Sequence, residues 1–427
     1  MSPQPPSEGS TDILFSPLTL GDMRLSHRIA MAPMTRNRGV ASLKHPGTFI
    51  ACPLMEEYYA QRTTQGGLLI SEAIPVSRQA SDPNYVPGIF TEEQVEFWKP
   101  VVEAVHRLGG LFVAQLWHAG RTRFVQNEFP IISSSAIPIT KTFMGTPGVV
   151  PQAMTIEDIE RVKEEYAQAA ANCIAAGFDA VELHAANGYL PEAFLHSNIN
   201  KRTDSYGGSP ENRNRFVVEL CDTITQAVGD NKFSLRLSPF GFFNEARGEQ
   251  RVTQWTRLCQ EISGRNWAYI HFMEPRYDEM TSGSDKLKEL GGDASLKPFL
   301  EALGGRMPVI VAGGYDCENV RTSKVLEEGR ADVVAFGRYF TSNPDLVYRL
   351  KHKKPLVEYI RPRFYGPFPD PETAYTDFPF SPENSNTPER KALLETETAR
   401  NLIVAEPGWQ LSKSGVQLRG LAPGAGE

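Results

Sequence analysis

The sequence predicts an α/β fold, a (β/α)8 TIM barrel built as a single domain with loop insertions and a C-terminal tail, and three observations carry that expectation. Eight short apolar or β-branched runs follow one another along the chain, each bounded by turn residues. Most are followed by a stretch in which apolar residues recur at helical spacing, and such alternation makes a parallel sheet. Side chains with reactive or ligand-binding chemistry gather at the carboxyl ends of the runs, the face on which these barrels carry their sites.

In order, the runs are 28–32, 67–71, 111–116, 179–184, 233–238, 269–273, 308–313 and 332–337. Helices fit between them. In 155–176 the residues Ile156, Ile159, Val162, Tyr166 and Ala170 recur at helical spacing. In 210–228, Ser209 is placed to cap a helix that has Pro210 at its first position. The segment after Arg36, NRGVASLKHPGTFIACP, is long for a first loop and is expected to form part of a lid. The chain divides into a flexible segment 1–12, a barrel 13–380 and a polar extension 381–427. The extension is rich in Pro, Gly and Ser and expected to be partly disordered, with one helix-prone stretch at 388–403.

Composition narrows the function. The 427 residues, 41% hydrophobic and 22% charged, suit one large soluble core, and no apolar run is long enough to cross a bilayer. The start, MSPQPPSEGSTDI, has neither the basic-then-apolar pattern of a secretory signal nor an Arg-rich transit pattern, so a cytoplasmic protein is expected. A net charge of −7 disfavours a nucleic-acid surface and favours a small-molecule partner, with no membrane association. The five cysteines are scattered, with no C-x-x-C pair, and read as reduced structural thiols without a metal.

The most informative stretch is 181–216, VELHAANGYLPEAFLHSNINKRTDSYGGSPENRNRF. His184 and Asn187 stand three apart just past an apolar run, so a turn there can aim two donors at one acceptor atom, such as an enone oxygen. Donors at that oxygen stabilise the enolate-like charge that builds when hydride adds to the β-carbon, and removing one typically costs roughly a hundredfold in rate. A lone His at a strand end is more often a satisfied core imidazole, but Asn187 and Tyr189 alongside favour a site. Tyrosine phenols titrate near ~10, so Tyr189 holds a proton at neutral pH that it can deliver to a carbanionic carbon.

This stretch resembles the old yellow enzyme family of FMN-dependent ene-reductases, through H-x-x-N/H-x-Y followed by R-T-D-x-Y-G-G-S-x-E-N-R, and the resemblance extends over roughly 14–365. It implies non-covalent FMN, NADPH or NADH as reductant, and an electron-poor alkene as substrate. It implies that Tyr189 protonates the α-carbon on the face opposite the flavin. Arg236, in FSLRLSPFG, would supply positive charge near N1 and O2 of the flavin, and Gln115, in VAQLWHAGR, would pair with the pyrimidine edge. Thr35, in MAPMTRNR, would donate to flavin O4, with Pro33, Met34 and Ala73 completing the ring site. One branch of the family has Cys at the position of Thr35, so this chain looks more like the other branch.

Trp117, Tyr277 and Tyr365 are expected at the substrate, with His184 and Asn187, and Phe240, Phe242 and Phe243 are further candidates for the pocket wall. The phosphate should lie after the last two runs, where Gly313, Gly314 and Gly337 with Arg338 let backbone amides approach an anion. The segment 202–213 is read as a loop that caps the next helix, without chemistry of its own. With no G-x-G-x-x-G after the first run, the nicotinamide is expected to use the substrate's pocket.

Three alternatives are set against the ene-reductase, and the second of them is rejected on sequence. The first is a biosynthetic isomerase or oxidase acting on one secondary metabolite, for which the long segment after Arg36 and the residues Pro191 and Glu192 leave room. The second, a two-domain dienoyl-CoA reductase type, needs a cysteine cluster that the sequence lacks. The third is a flavin-free barrel serving as a scaffold. A monomer or a homodimer is expected.

Overall fold

The computed structural model describes residues 13–81, 85–124, 127–142, 145–275, 294–315 and 324–385, and the backbone of 409–412 and 415–418. A hairpin of β1 (Leu18–Leu20) and β2 (Met23–Leu25) opens the described chain. Gly21 makes its turn at φ +54°, where a Cβ would lie 2.0 Å from the Asn231 carbonyl oxygen, so only glycine fits. Leu20, Met23 and Leu25 pack with Ala30, Leu68, Val113, Ala180 and Tyr269 of the barrel interior and plug its amino-terminal end.

The first barrel strand is β3 (Ile29–Met31), followed by a hairpin of β4 (Val40–Ala41) and β5 (Phe49–Ile50), then α1 (Pro53–Arg62) and β6 (Leu68–Pro75). Next come α2 (Glu92–Arg107), β7 (Leu111–Trp117), a short pair β8 (Ile132–Ser133) and β9 (Gln152–Ala153), and α3 (Ile156–Ala176). The chain continues with β10 (Ala180–Ala185), α4 (Leu190–Leu195), α5 (Pro210–Val228), β11 (Phe233–Leu237), α6 (Arg251–Ile262) and β12 (Tyr269–Met273). It finishes the barrel with α7 (Lys297–Leu303), β13 (Val309–Ala312) and β14 (Val333–Phe336). The strands β3, β6, β7, β10, β11, β12, β13 and β14 pair in parallel and close on one another, one from each predicted run.

Strand alternation divides the core in two. Leu69, Val181, Leu183, Phe233 and Leu235 face outward into the layer beneath the helices. Ala180, Val113, Tyr269 and Ile310 fill the interior. Thr155 and Thr91 cap α3 and α2 with reciprocal bonds to Asp158 and Gln94, each cap worth ~1 kcal/mol. The Ser209 hydroxyl accepts from the Asn212 amide, as its position predicts. On α3 the buried face is Ile159, Val162, Tyr166 and Ala170, but Ile156, in the first turn, is 43% exposed.

Several expectations change. The strand predicted at 67–71 runs on to Pro75, because a register break between Ile70 and Ala73 lets it bend and continue, and Ala73 pairs with Gln115. In the long segment after Arg36, Asn37 lines the cavity, while Phe49 packs against Tyr85 with ring centroids 4.9 Å apart and its carbonyl accepts from Gln94, which draws the β4–β5 hairpin toward the start of α2. Within 202–213, Arg202 binds Asp204 and the carbonyls of Ser134 and Met154, and Arg213 binds those of Leu195 and Gly208. The helix-prone stretch 388–403 lies outside the described residues, whereas Trp409–Ser412 and Gly415–Leu418 form an antiparallel pair that the sequence did not suggest. Cys52, Cys173, Cys221 and Cys259 are buried and free, and no metal-binding group is found among the described residues.

Candidate active site

A cavity of about 480 Å³ opens at the carboxyl ends of the barrel strands, within the range of small-molecule sites. Pro33, Met34 and Thr35 line it after β3, Ala73 from β6, Gln115 and Trp117 from β7, and Arg236 from β11. His184, at the end of β10, lines it together with Asn187 and Tyr189 from the following turn. Gly313 and Gly314 after β13, Gly337 and Arg338 after β14, and Tyr365 complete the residues expected there. Tyr277 lies outside the described residues.

Among the further aromatic candidates, Phe243 lines the cavity and the other two do not. Phe240 packs in the core against Phe299 at 5.6 Å, and Phe242 lies against the Arg251 guanidinium at 4.8 Å. Pro191 and Glu192 are buried in α4 and are not among the cavity-lining residues.

The turn after β10 is held by a buried carboxylate. Asn187 (φ +61°) and Gly188 (φ +72°) are consecutive left-handed residues, and a Cβ on Gly188 would meet the Asn244 Cβ at 2.8 Å. The Asn187 amide donates to Ser238 Oγ at 2.8 Å, the Ser238 hydroxyl donates to Glu192 Oε1 at 2.6 Å, and the Gly188 amide donates to Glu192 Oε2 at 2.5 Å. Asn244 Nδ2 donates to the Asn187 carbonyl at 2.8 Å. Tyr189, at the start of α4, is edge-on to Trp117 at 5.3 Å and to His184 at 5.0 Å between ring centroids. These contacts hold the ring of a residue that lines the cavity.

Burial, and next to it the positive Arg236, hold the His184 imidazole well below its ordinary pKa, so it is neutral and offers one N–H. On cavity residues, the buried polar atoms His184 Nδ1, Asn187 Oδ1, Trp117 Nε1 and Arg236 Nε have no hydrogen-bond partner among the described residues. Orphaned buried groups on one cavity call for a polar ligand, and the guanidinium calls for negative charge. At the last two strands Gly313 (φ +116°) and Gly314 (φ +71°) take left-handed backbone, and a Cβ on Gly337 would lie 2.9 Å from Met34 Sδ. A flat ring with a carbonyl edge and an anionic tail fits this donor set, which is the chemistry of FMN.

The remaining wall is made by distant sequence. Phe364, Tyr365, Gly366 and Pro367 line the cavity beside Asn37. They are clamped by buried guanidiniums: Arg36 donates to the carbonyls of Phe364 at 3.1 Å and Ala374 at 2.8 Å, and Arg38 to that of Pro371 at 3.0 Å. The Gly366 amide returns a bond to the Arg36 carbonyl at 3.1 Å. Arg361 lies over the Tyr365 ring at 5.2 Å on the same rim. Asn37, Phe124, Asn244 and Arg361 were not anticipated, and only an aromatic or a charge near a strand end could have signalled them.

Residues 13–356 match the family model described as NADH:flavin oxidoreductase / NADH oxidase family. Flavin oxidoreductase hxnT of Emericella nidulans is 42% identical over 86% of this chain and 97% of its own length. 12-Oxophytodienoate reductase 1 of Oryza sativa subsp. japonica is 40% identical over 87% of this chain and 93% of its own. Among solved structures, morphinone reductase superposes with a TM-score of 0.77 at 36% identity, covering 88% of this chain and 98% of the other. The old yellow enzyme homologue from Zymomonas mobilis gives 0.75 at 33% identity, covering 86% and 99%. The chain belongs to the NADH:flavin oxidoreductase / NADH oxidase family: it is an FMN-dependent old yellow enzyme, an oxidoreductase of the ene-reductase kind.

Proposed function

We propose that this protein reduces the C=C bond of a small α,β-unsaturated carbonyl compound, with Tyr189 as the proton donor. The observation that carries the reading is the meeting of His184, Asn187 and Tyr189 with Arg236, Gln115 and the glycines of the last two strands on one cavity. Gln115, Thr35 and Arg236, with Pro33, Met34 and Ala73, would hold the isoalloxazine ring of FMN, and Gly313, Gly314, Gly337 and Arg338 its phosphate. Bound there, FMN would supply two-electron hydride chemistry between NADPH or NADH and the alkene's β-carbon.

His184 and Asn187 hydrogen-bond the substrate carbonyl oxygen. The neutral imidazole donates without adding a charge that would need its own counter-ion, and the bonds strengthen as negative charge grows on that oxygen. Tyr189 Oη gives its proton to the α-carbon as the β-carbon gains hydride, and it is reprotonated from water. Trp117 and His184 hold the Tyr189 ring edge-on, which limits the directions from which that proton can arrive. Tyr365 and Phe364 close the apolar side of the pocket and exclude water from the reacting carbons. Morphinone reductase has been solved with tetrahydroNAD, which supports a nicotinamide reductant here.

The four described cysteines are buried and free, which fits a reducing, cytoplasmic setting; separately, no helix among the described residues is long and apolar enough to cross a membrane. The test is product analysis. FMN-loaded protein supplied with NADPH and 2-cyclohexenone should form cyclohexanone mole for mole with nicotinamide oxidised. A rearranged product with no nicotinamide consumed would replace the reductase reading with an isomerase.

A further inference from the structure

Below the cavity, the barrel interior holds a buried carboxylate where alternation would otherwise leave an apolar layer. Glu182 lies on β10 two residues before His184, so it faces the interior one layer deeper, and it is fully buried. Its Oε1 accepts from Gln115 Nε2 at 2.7 Å, and its Oε2 from the Tyr269 hydroxyl at 3.0 Å and from His271 Nδ1 at 2.9 Å. Burial pushes its pKa up, but His271, Arg236 and Gln115 outweigh burial and the net direction is down, so Glu182 is an anion. Burial lowers the pKa of His271, which donates to it as a neutral imidazole.

Two consequences follow from that charge. An ionised carboxylate only accepts hydrogen bonds, so Gln115 must present its NH2 group to Glu182, and its carbonyl oxygen is the end left for the cavity it lines. A second consequence concerns Arg236, which pairs in register with His184 on one side and His271 on the other and whose charge is among those that lower the Glu182 pKa.

We propose that Glu182 is a positioning residue for the flavin: it fixes which end of the Gln115 carboxamide meets the ring, and its charge offsets that of Arg236, holding the reduction potential of bound FMN below the value Arg236 alone would set. The proposal rests on the FMN-dependent reading above. Reduction adds negative charge to the ring, which Arg236 favours and Glu182 opposes. The FMN that binds here would therefore meet a balanced pair of charges.

The experiment compares wild-type and Glu182→Gln holoprotein in an anaerobic titration against a reference dye, together with the FMN dissociation constant of each apoprotein from flavin fluorescence. In the variant the ratio of reduced to oxidised flavin at a fixed potential should rise at least tenfold, ~30 mV for a two-electron couple. FMN binding should weaken, and the loss should shrink in a Gln115→Ala background, because Glu182 acts through Gln115. Tyr269→Phe, which keeps the carboxylate and Gln115 but removes one donor to the charge, should move the potential by less and in the opposite direction; it decides the matter if Glu182→Gln does not fold. An unchanged potential in a folded, flavin-bound variant overturns the inference alone. Wild-type protein that takes up no FMN overturns it together with the reading on which it rests.

Discussion

The wall of the cavity that carries His184, Asn187 and Tyr189 is built around the Glu192 carboxylate of its own turn, with Ser238, Asn244 and Trp117 bracing it, whereas the wall that carries Phe364, Tyr365, Gly366 and Pro367 is held by arginines more than three hundred residues away. In the first, a short span of chain contains the reacting groups, the left-handed turn that aims them and the Glu192 carboxylate that fixes the turn. In the second, the lining residues bring little chemistry, and their position depends on Arg36 and Arg38 finding backbone carbonyls. The difference separates two duties: the local wall sets the geometry of the reaction, and the distant wall sets what fits beside it.

Tyr189→Phe bears hardest on the local wall. It keeps the ring between Trp117 and His184 and removes only the proton, so the enone step should slow ~10²–10⁴-fold while reduction of the flavin by nicotinamide is retained. Stopped-flow measurement of each step checks this, and equal losses in both would remove Tyr189 from its role. Glu192→Ala comes next. Freed of its acceptors, the turn should shift, with about a hundredfold loss in the enone step and unchanged FMN affinity.

On the distant wall, Arg36→Lys keeps the charge but loses the fork that reaches two carbonyls at once, and the destabilisation read from urea unfolding should be about 3–5 kcal/mol. Its catalytic effect should fall on KM for bulky enones with kcat for a small one preserved, the reverse of the Glu192→Ala pattern. The smallest effect belongs to Glu72, at the bulge of β6 with Arg36 and Arg38 nearby, whose carboxyl burial raises from 4.5 to about 7. The folded state holds that proton more tightly, so the contribution is complete below pH 4.5 and is lost as pH rises through about 7, about 3 kcal/mol at most. Glu72→Gln should flatten stability across that window, and an unchanged pH profile would show that Glu72 titrates elsewhere.

The same contrast explains what the sequence disclosed. The spacing of His184, Asn187 and Tyr189 survives folding because a single turn contains it, and the cap at Ser209 and the eight strands are likewise set by near neighbours. Glu192 looks like any acid in a short helix, and only the buried Ser238 and Gly188 bonds reveal it. The arginine clamp is illegible because its acceptors are backbone carbonyls, which every residue has. Length marked the segment after Arg36 as unusual, but length does not say where a loop goes, and Phe49 takes it toward α2. Phe240 was misassigned for a similar reason, since an aromatic near a strand end does not declare which face it packs against.

The most direct measurement is anaerobic and uses the wild-type protein loaded with FMN. NADPH is added until the flavin is bleached, free nicotinamide is removed, and a cyclic enone is mixed in while the flavin absorbance is followed. Return of the oxidised spectrum with one saturated ketone formed per flavin is the predicted result. Flavin that bleaches and stays reduced in the presence of the enone would contradict the account.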